Sequence, residues 1–221
     1  NGFGQLGNSS TTSSSVPVTV TQSGVLAGKT VVALSAGYDH SLALCSDGTV
    51  AAWGWNSDGQ LGNNSTIKSS VPVAVMQSGA LAGKTVIALS AGSSYSLALC
   101  SDGTVAAWGD NGFGQLGNSS TTSSAVPVAV AQGGVLAGKT IVAVSTELFH
   151  SLALCSDGTV AAWGYNGSGQ LGNNSTIDSS VPVAVAQTGV LAGKTVIALS
   201  AGDYHNLALC SDGTVAAWGQ N

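Results

Sequence analysis

The chain repeats itself four times. Trp53, Trp108, Trp163 and Trp218 stand 55 residues apart, and so do Cys45, Cys100, Cys155 and Cys210 and the four prolines Pro17, Pro72, Pro127 and Pro182. The 221 residues are four such periods plus one. A fold packed around one irregular core has no reason to recur at a fixed spacing. A period near 50 residues belongs to solenoids, propellers and arrays, where each unit is a small supersecondary structure buried by its neighbours. Composition removes other classes. Net charge is -5 and Arg is absent, which disfavours nucleic-acid binding through a basic surface. At 44% hydrophobic residues the chain is too apolar to stay disordered. No apolar run approaches the ~18 residues of a membrane-spanning helix.

One period reads as four short strands. Thr30–Ala36 is a β-branched, apolar run, and His40–Cys45 alternates with Leu42 and Leu44 on one face. Ser46-Asp47-Gly48 is a tight-turn signal, because Asp-Gly readily supplies φ > 0. Thr49–Trp53 is the return strand, a loop rich in Gly, Asn, Ser and Thr runs from Gly54 to Ser70, and Val71–Val75 is a fourth strand. Pro72 inside that strand marks it as an edge. Four-stranded sheets repeated around an axis are propeller blades, so an all-β propeller is expected, one domain over residues 1–221.

Four motifs in each period carry a family resemblance: His40-Ser-Leu-Ala-Leu, Asp47-Gly-Thr-Val, Ala52-Trp-Gly54 and Asn56-x-x-Gly-Gln-Leu-Gly62. Together they resemble the repeats of the RCC1 (regulator of chromosome condensation) superfamily, in a bacterial-type form. The resemblance implies four RCC1-like blades, whereas family members usually close with seven. The chain begins and ends within the loop between third and fourth strands. Residues 16–20 therefore read as a fourth strand without a third, and residues 214–218 as a third without a fourth. Pairing the two completes a blade and hides both edges. Within one chain this gives a closed four-blade ring, with the last blade completed by the N-terminal strand. Between two chains it gives an eight-bladed homodimer. Otherwise the chain is an arc of a larger ring. A wedge shaped for seven blades turns about 51°, which leaves a wide gap after four.

Several motifs mimic chemistry. Gly133-Gly-Val-Leu-Ala-Gly-Lys139-Thr140 matches a phosphate loop, but a strand follows where a helix is needed. Gly112 to Gly117 fits a dinucleotide fingerprint with no βαβ unit beside it. The cysteines, one per blade, read as packed thiols rather than disulfide or metal partners. His40, His150 and His205 give way to Tyr95 in the second copy, as suits a structural hydrogen bond better than a catalytic base. The Asp-Gly aspartates read as turn residues. The sequence therefore points away from catalysis, and it carries no cofactor or metal signature.

The four copies also serve as an internal comparison. They differ mainly at the turn 38–40 and in the loop after the third strand, both at the top if alternate strands run up and down. Beyond the four repeated Trp, the eight remaining aromatics are Phe3, Tyr38, Trp55, Tyr95, Phe113, Phe149, Tyr165 and Tyr204, and all fall in those two places. Charge divides the same way. Asp39, Asp58, Asp110, Glu147, Asp178 and Asp203 lie at the top with Lys68, whereas four Lys and four turn Asp balance at the bottom. Exposed aromatics grouped with charge on scaffolded loops mark a binding surface. The expected partner-binding face is Phe3, Tyr38, Asp39, Trp55, Asp58, Tyr95, Asp110, Phe113, Glu147, Phe149, Tyr165, Asp203 and Tyr204. Its expected partner is a protein of basic character. A glycan, or a purely structural role in a surface protein, is the alternative. Low charge, no Arg and abundant Ser, Thr, Gly and Asn fit a bacterial extracellular or cell-surface setting.

Overall fold

A computed structural model describes residues 1–221. Its fifteen strands fall into four antiparallel sheets in sequence order. The first blade is β1 (Val31–Ala36), β2 (His40–Cys45), β3 (Val50–Gly54) and β4 (Ser69–Ala74). The second is β5 (Val86–Ala91), β6 (Tyr95–Cys100), β7 (Val105–Gly109) and β8 (Ser124–Ala129). The third is β9 (Ile141–Thr146), β10 (His150–Cys155), β11 (Val160–Gly164) and β12 (Ser179–Ala184). The fourth has three strands, β13 (Val196–Ala201), β14 (His205–Cys210) and β15 (Val215–Gly219). Single 3-10 turns at Gly24–Leu26, Gly79–Leu81, Gly134–Leu136 and Gly189–Leu191 lead into the blades. No helix is long and apolar enough to cross a membrane. The first strands of successive blades lie against one another, β1 on β5, β5 on β9 and β9 on β13, so they line the axis.

Register decides which residues meet between blades. Leu42 lies opposite Ala52 and Leu44 opposite Val50, giving each sheet an aliphatic face. The alternate residues, Ala98, Cys100, Ala106 and Trp108 in the second blade, form a face of small side chains and one indole. The aliphatic face of blade one and the small-residue face of blade two bury each other, with Leu61, Val75 and Leu81 of the connecting segment between them. The same pairing recurs between blades two and three and between three and four. Cores of this kind lie between sheets, so no blade is stable alone. Each buried Leu contributes about 2 kcal/mol by its transfer from water.

Polar groups fix the spacing. Trp108 Nε1 donates to the Gln60 carbonyl at 2.9 Å, and the other three indoles do the same to Gln5, Gln115 and Gln170. Gly62, at φ +63°, lies flat on that indole, and a Cβ there would stand 2.8 Å from Trp108 Nε1. At the bottom, each Lys binds the turn of its own blade: Lys29 Nζ donates to the Asp47 carboxylate and to Thr49 Oγ1. That cation and the Thr49 amide and hydroxyl hold the Asp47 carboxyl down at about 2. The four cysteines are buried free thiols. Burial pushes the Cys45, Cys100 and Cys155 thiols up.

One expectation is corrected. Residues 16–20 form no strand and do not pair with β15. The last blade is not completed within the chain, because its three strands lie at the opposite end of the array from the N-terminal segment. Residues 11–19 are exposed, and only Val20 and the turn that follows pack on blade one, where Leu26 buries Cys45 and Ala51.

Candidate partner-binding face

Each top loop is built before it is decorated. An Asn at its start folds it: Asn56 Nδ2 donates to the Ser65 and Ile67 carbonyls, and Asn56 Oδ1 accepts from the Leu61 amide. Asn1, Asn111 and Asn166 repeat the pattern. Backbone bonds tie this loop to the turn before the second strand. Trp55 N donates to Asp39 O at 2.8 Å and Tyr165 N to Phe149 O at 3.0 Å. Turn and loop therefore share one rigid surface, and their variable side chains stand side by side.

The aromatics gather in two groups. Phe113 lies between Phe149 (centroids 5.2 Å) and Tyr165 (5.0 Å), and Tyr165 continues to Tyr204 at 6.3 Å. This row joins blades two, three and four. Phe3 meets Trp55 at 4.3 Å, with Lys68 Nζ 5.5 Å over the Phe3 ring. Tyr38 stands apart and is 78% exposed.

The carboxylates differ in their freedom. Asp39 accepts from Gln5 Nε2 at 2.7 Å, Asp110 from Gln115 Nε2 at 2.8 Å, and Asp178 from the Asn166 amide at 2.7 Å. These three help hold their loops. Asp58 accepts from Ser57 Oγ. Glu147 and Asp203 face a shared open cleft with Tyr204 and His205. Partial burial, and secondly the charge of Asp203, raise the Glu147 carboxyl above its ordinary range. Two carboxylates on one cleft make a place for a cation.

Tyr95 is a correction. It is buried, not on the face. Its ring fills the interblade position that histidine holds in the other copies, and its hydroxyl donates to the His150 carbonyl. Burial pushes its phenol far up. One contribution was not legible from residue types. The Gln at positions 5, 60, 115 and 170 serve the scaffold through carbonyl and side chain at once, a role signalled only by their fixed place in every copy. The phosphate-loop look-alike is the 3-10 turn Gly134–Leu136 leading into β9, and it has no helix behind it.

Comparison with known proteins agrees with this architecture. A family model described as the RCC1-like domain matches residues 1–221. The probable E3 ubiquitin-protein ligase HERC6 of Homo sapiens is 38% identical over 85% of this chain, which spans 18% of that protein. The ultraviolet-B receptor UVR8 of Arabidopsis thaliana is 33% identical over 86% of this chain, which spans 41% of it. This chain thus spans less than half of either relative. Among solved structures, human WBSCR16 superposes over 100% of this chain and 56% of its own, with a TM-score of 0.83 and 28% identity. Prp20p of Saccharomyces cerevisiae, described by its binding to Gsp1p and histones, gives 0.71 over 86% of this chain and 44% of its own, at 28% identity. Repeat motifs, blade topology and these matches together place the chain in the RCC1-like domain family.

Proposed function

We propose that this propeller is a non-enzymatic protein-binding scaffold, and that its partner presents a basic surface to the acidic, aromatic top face. The observation that carries this reading is the row Phe113, Phe149, Tyr165 and Tyr204 beside the Glu147–Asp203 cleft. Aromatic anchors with charge at their edge are what binding surfaces concentrate. A lysine or arginine reaching into the cleft meets two carboxylates and the face of a tyrosine, and both attractions strengthen as water is excluded. The rings meet one another at interplanar angles of 54° to 73°. They therefore present edges as well as faces, which fits a protein surface better than the flat platform a sugar ring needs.

Histones are a suitable basic probe, since the Prp20p structure is described by its binding to them. Titration of core histones into the wild-type chain is expected to give saturable binding. The variant Tyr38→Ala, Trp55→Ala, Phe149→Ala, Tyr204→Ala is expected to bind at least about tenfold more weakly, with an unchanged circular dichroism spectrum. No binding by the wild type, or equal binding by the folded variant, would overturn the proposal.

A further inference from the structure

Each top loop holds one glutamine beneath the face it carries. Gln5, Gln60, Gln115 and Gln170 are equivalent. In all four the side-chain oxygen accepts from the amide two residues earlier, that of Phe3, Asp58, Phe113 or Ser168, at 2.8 to 3.1 Å. That bond fixes which way the carboxamide is turned, because the reverse would set its NH2 group against another N–H. The Nε2 end is therefore aimed the same way in every copy.

What it meets there differs. Gln5 Nε2 donates to Asp39 Oδ1 at 2.7 Å, and Gln115 Nε2 to Asp110 Oδ2 at 2.8 Å. The chain thus brings a carboxylate to this donor from either of two places: the turn before the second strand of the following blade, or the start of the glutamine's own loop. Around Gln60 neither place holds one. The first is Ser94, 55 residues after Asp39, and the second is Trp55, 55 before Asp110. Gln60 is fully buried, and its Nε2 has no partner. Around Gln170 the two places hold Tyr204 and Tyr165, and its Nε2 is likewise buried without a partner. Three of these four residues are aromatics of the top face.

The rest of Gln60 is locked between blades one and two. Its carbonyl accepts from the Trp108 indole and from the Ser96 hydroxyl. The unpaired donor therefore follows from the side chains chosen beside it, not from a loose loop, and a buried donor left unpaired weighs against the folded state.

We infer that a bound protein completes this site: one of its main-chain carbonyls enters between Trp55 and Ser94 and accepts from Gln60 Nε2. The inference rests on the reading of the top face as a protein-binding surface and names one contact within it. Trp55 is only half-buried and turns aside to admit the carbonyl. A carboxylate would satisfy the donor too, as Asp39 and Asp110 do in the other copies, but Asp58 and the acidic residues around it repel one brought from outside. A main-chain carbonyl is the neutral acceptor that every protein loop carries. Because the donor is already stripped of water, pairing it adds affinity at no further desolvation cost on this side.

Ser94→Asn tests this, since it puts a neutral Oδ1 where Asp39 offers one to Gln5. In the free chain the folded-to-unfolded ratio, read by denaturant unfolding, is expected to rise about tenfold. In a titration with core histones, binding is expected to weaken about tenfold from wild type, because the donor is then taken. Ser94→Ala removes the hydroxyl, adds no acceptor, and is expected to match wild type in both measurements. A Ser94→Asn chain no more stable than wild type would mean that the donor is already satisfied. A stabilised one that binds histones as wild type does, or a Ser94→Ala that weakens binding as much, would mean that the partner does not use it. Each of these results overturns the inference. A wild type that binds no histones while Ser94→Asn is stabilised would bring down the reading of the face, and this inference with it.

Discussion

His40 Nε2 lies 2.9 Å from Ser96 Oγ, and that hydroxyl donates its hydrogen to the Gln60 carbonyl. Nε2 must therefore carry the proton, which leaves Nδ1 bare, and it has no partner. Burial without a partner for a second proton lowers the His40 pKa to about 4. The unfolded chain takes up that proton first, near the ordinary pKa of about 6.5. The penalty is thus absent at neutral pH, grows as pH falls below about 6.5, and is complete near 4, at about 3 kcal/mol. Denaturant unfolding at a series of pH values is expected to show this loss, and His40→Gln to flatten it. Glu147 gives a second residue-scale prediction. Asp203→Asn removes one of the two causes that raise its pKa, so its titration by NMR is expected to move down toward the ordinary range. The His-to-Tyr exchange among copies made position 40 legible as structural. The burial of Tyr95 was not legible in the same way, because residue type alone carries no information on burial.

The strands were legible because each is short, apolar and bounded by Gly, Asp or Pro. The fourth strand of the missing pair was not. Residues 16–20 have the sequence of a strand, yet a strand is a pairing, and they pair with no strand of residues 1–221. Element docking yields a clean comparison. Gly59 and Gly169 share positive φ, +83° and +78°. Alanine at either meets the same cost for the left-handed backbone, about 1 kcal/mol. At Gly59 the methyl group also meets the Ala125 Cα at 2.4 Å, whereas at Gly169 it meets nothing in the same chain. Under conditions that keep the chain monomeric, Gly59→Ala is expected to lower stability by at least about 2 kcal/mol more than Gly169→Ala, judged by denaturant unfolding. Equal losses would mean that loop and following blade are not locked together.

Over the whole molecule, charge and shape are sorted by the repeat itself. Every copy keeps the bottom Lys–Asp pair, so the residual charge of -5 resides at the top, where copies differ. That sorting was legible from four aligned periods. Ring closure was not, because curvature depends on the angle between blades and no residue type encodes it. Which aromatics would meet was hidden too: Phe113 and Phe149 come from neighbouring blades and are brought together by that same angle. The central claim is that partners are read by the top face. Hydrogen exchange of the chain, free and bound to core histones, tests it most directly. Protection is predicted over Asp110–Phe113, Glu147–Phe149 and Asp203–Tyr204. Protection confined to the bottom turns around Asp47, Asp102 and Asp157, with the top unchanged, would contradict it.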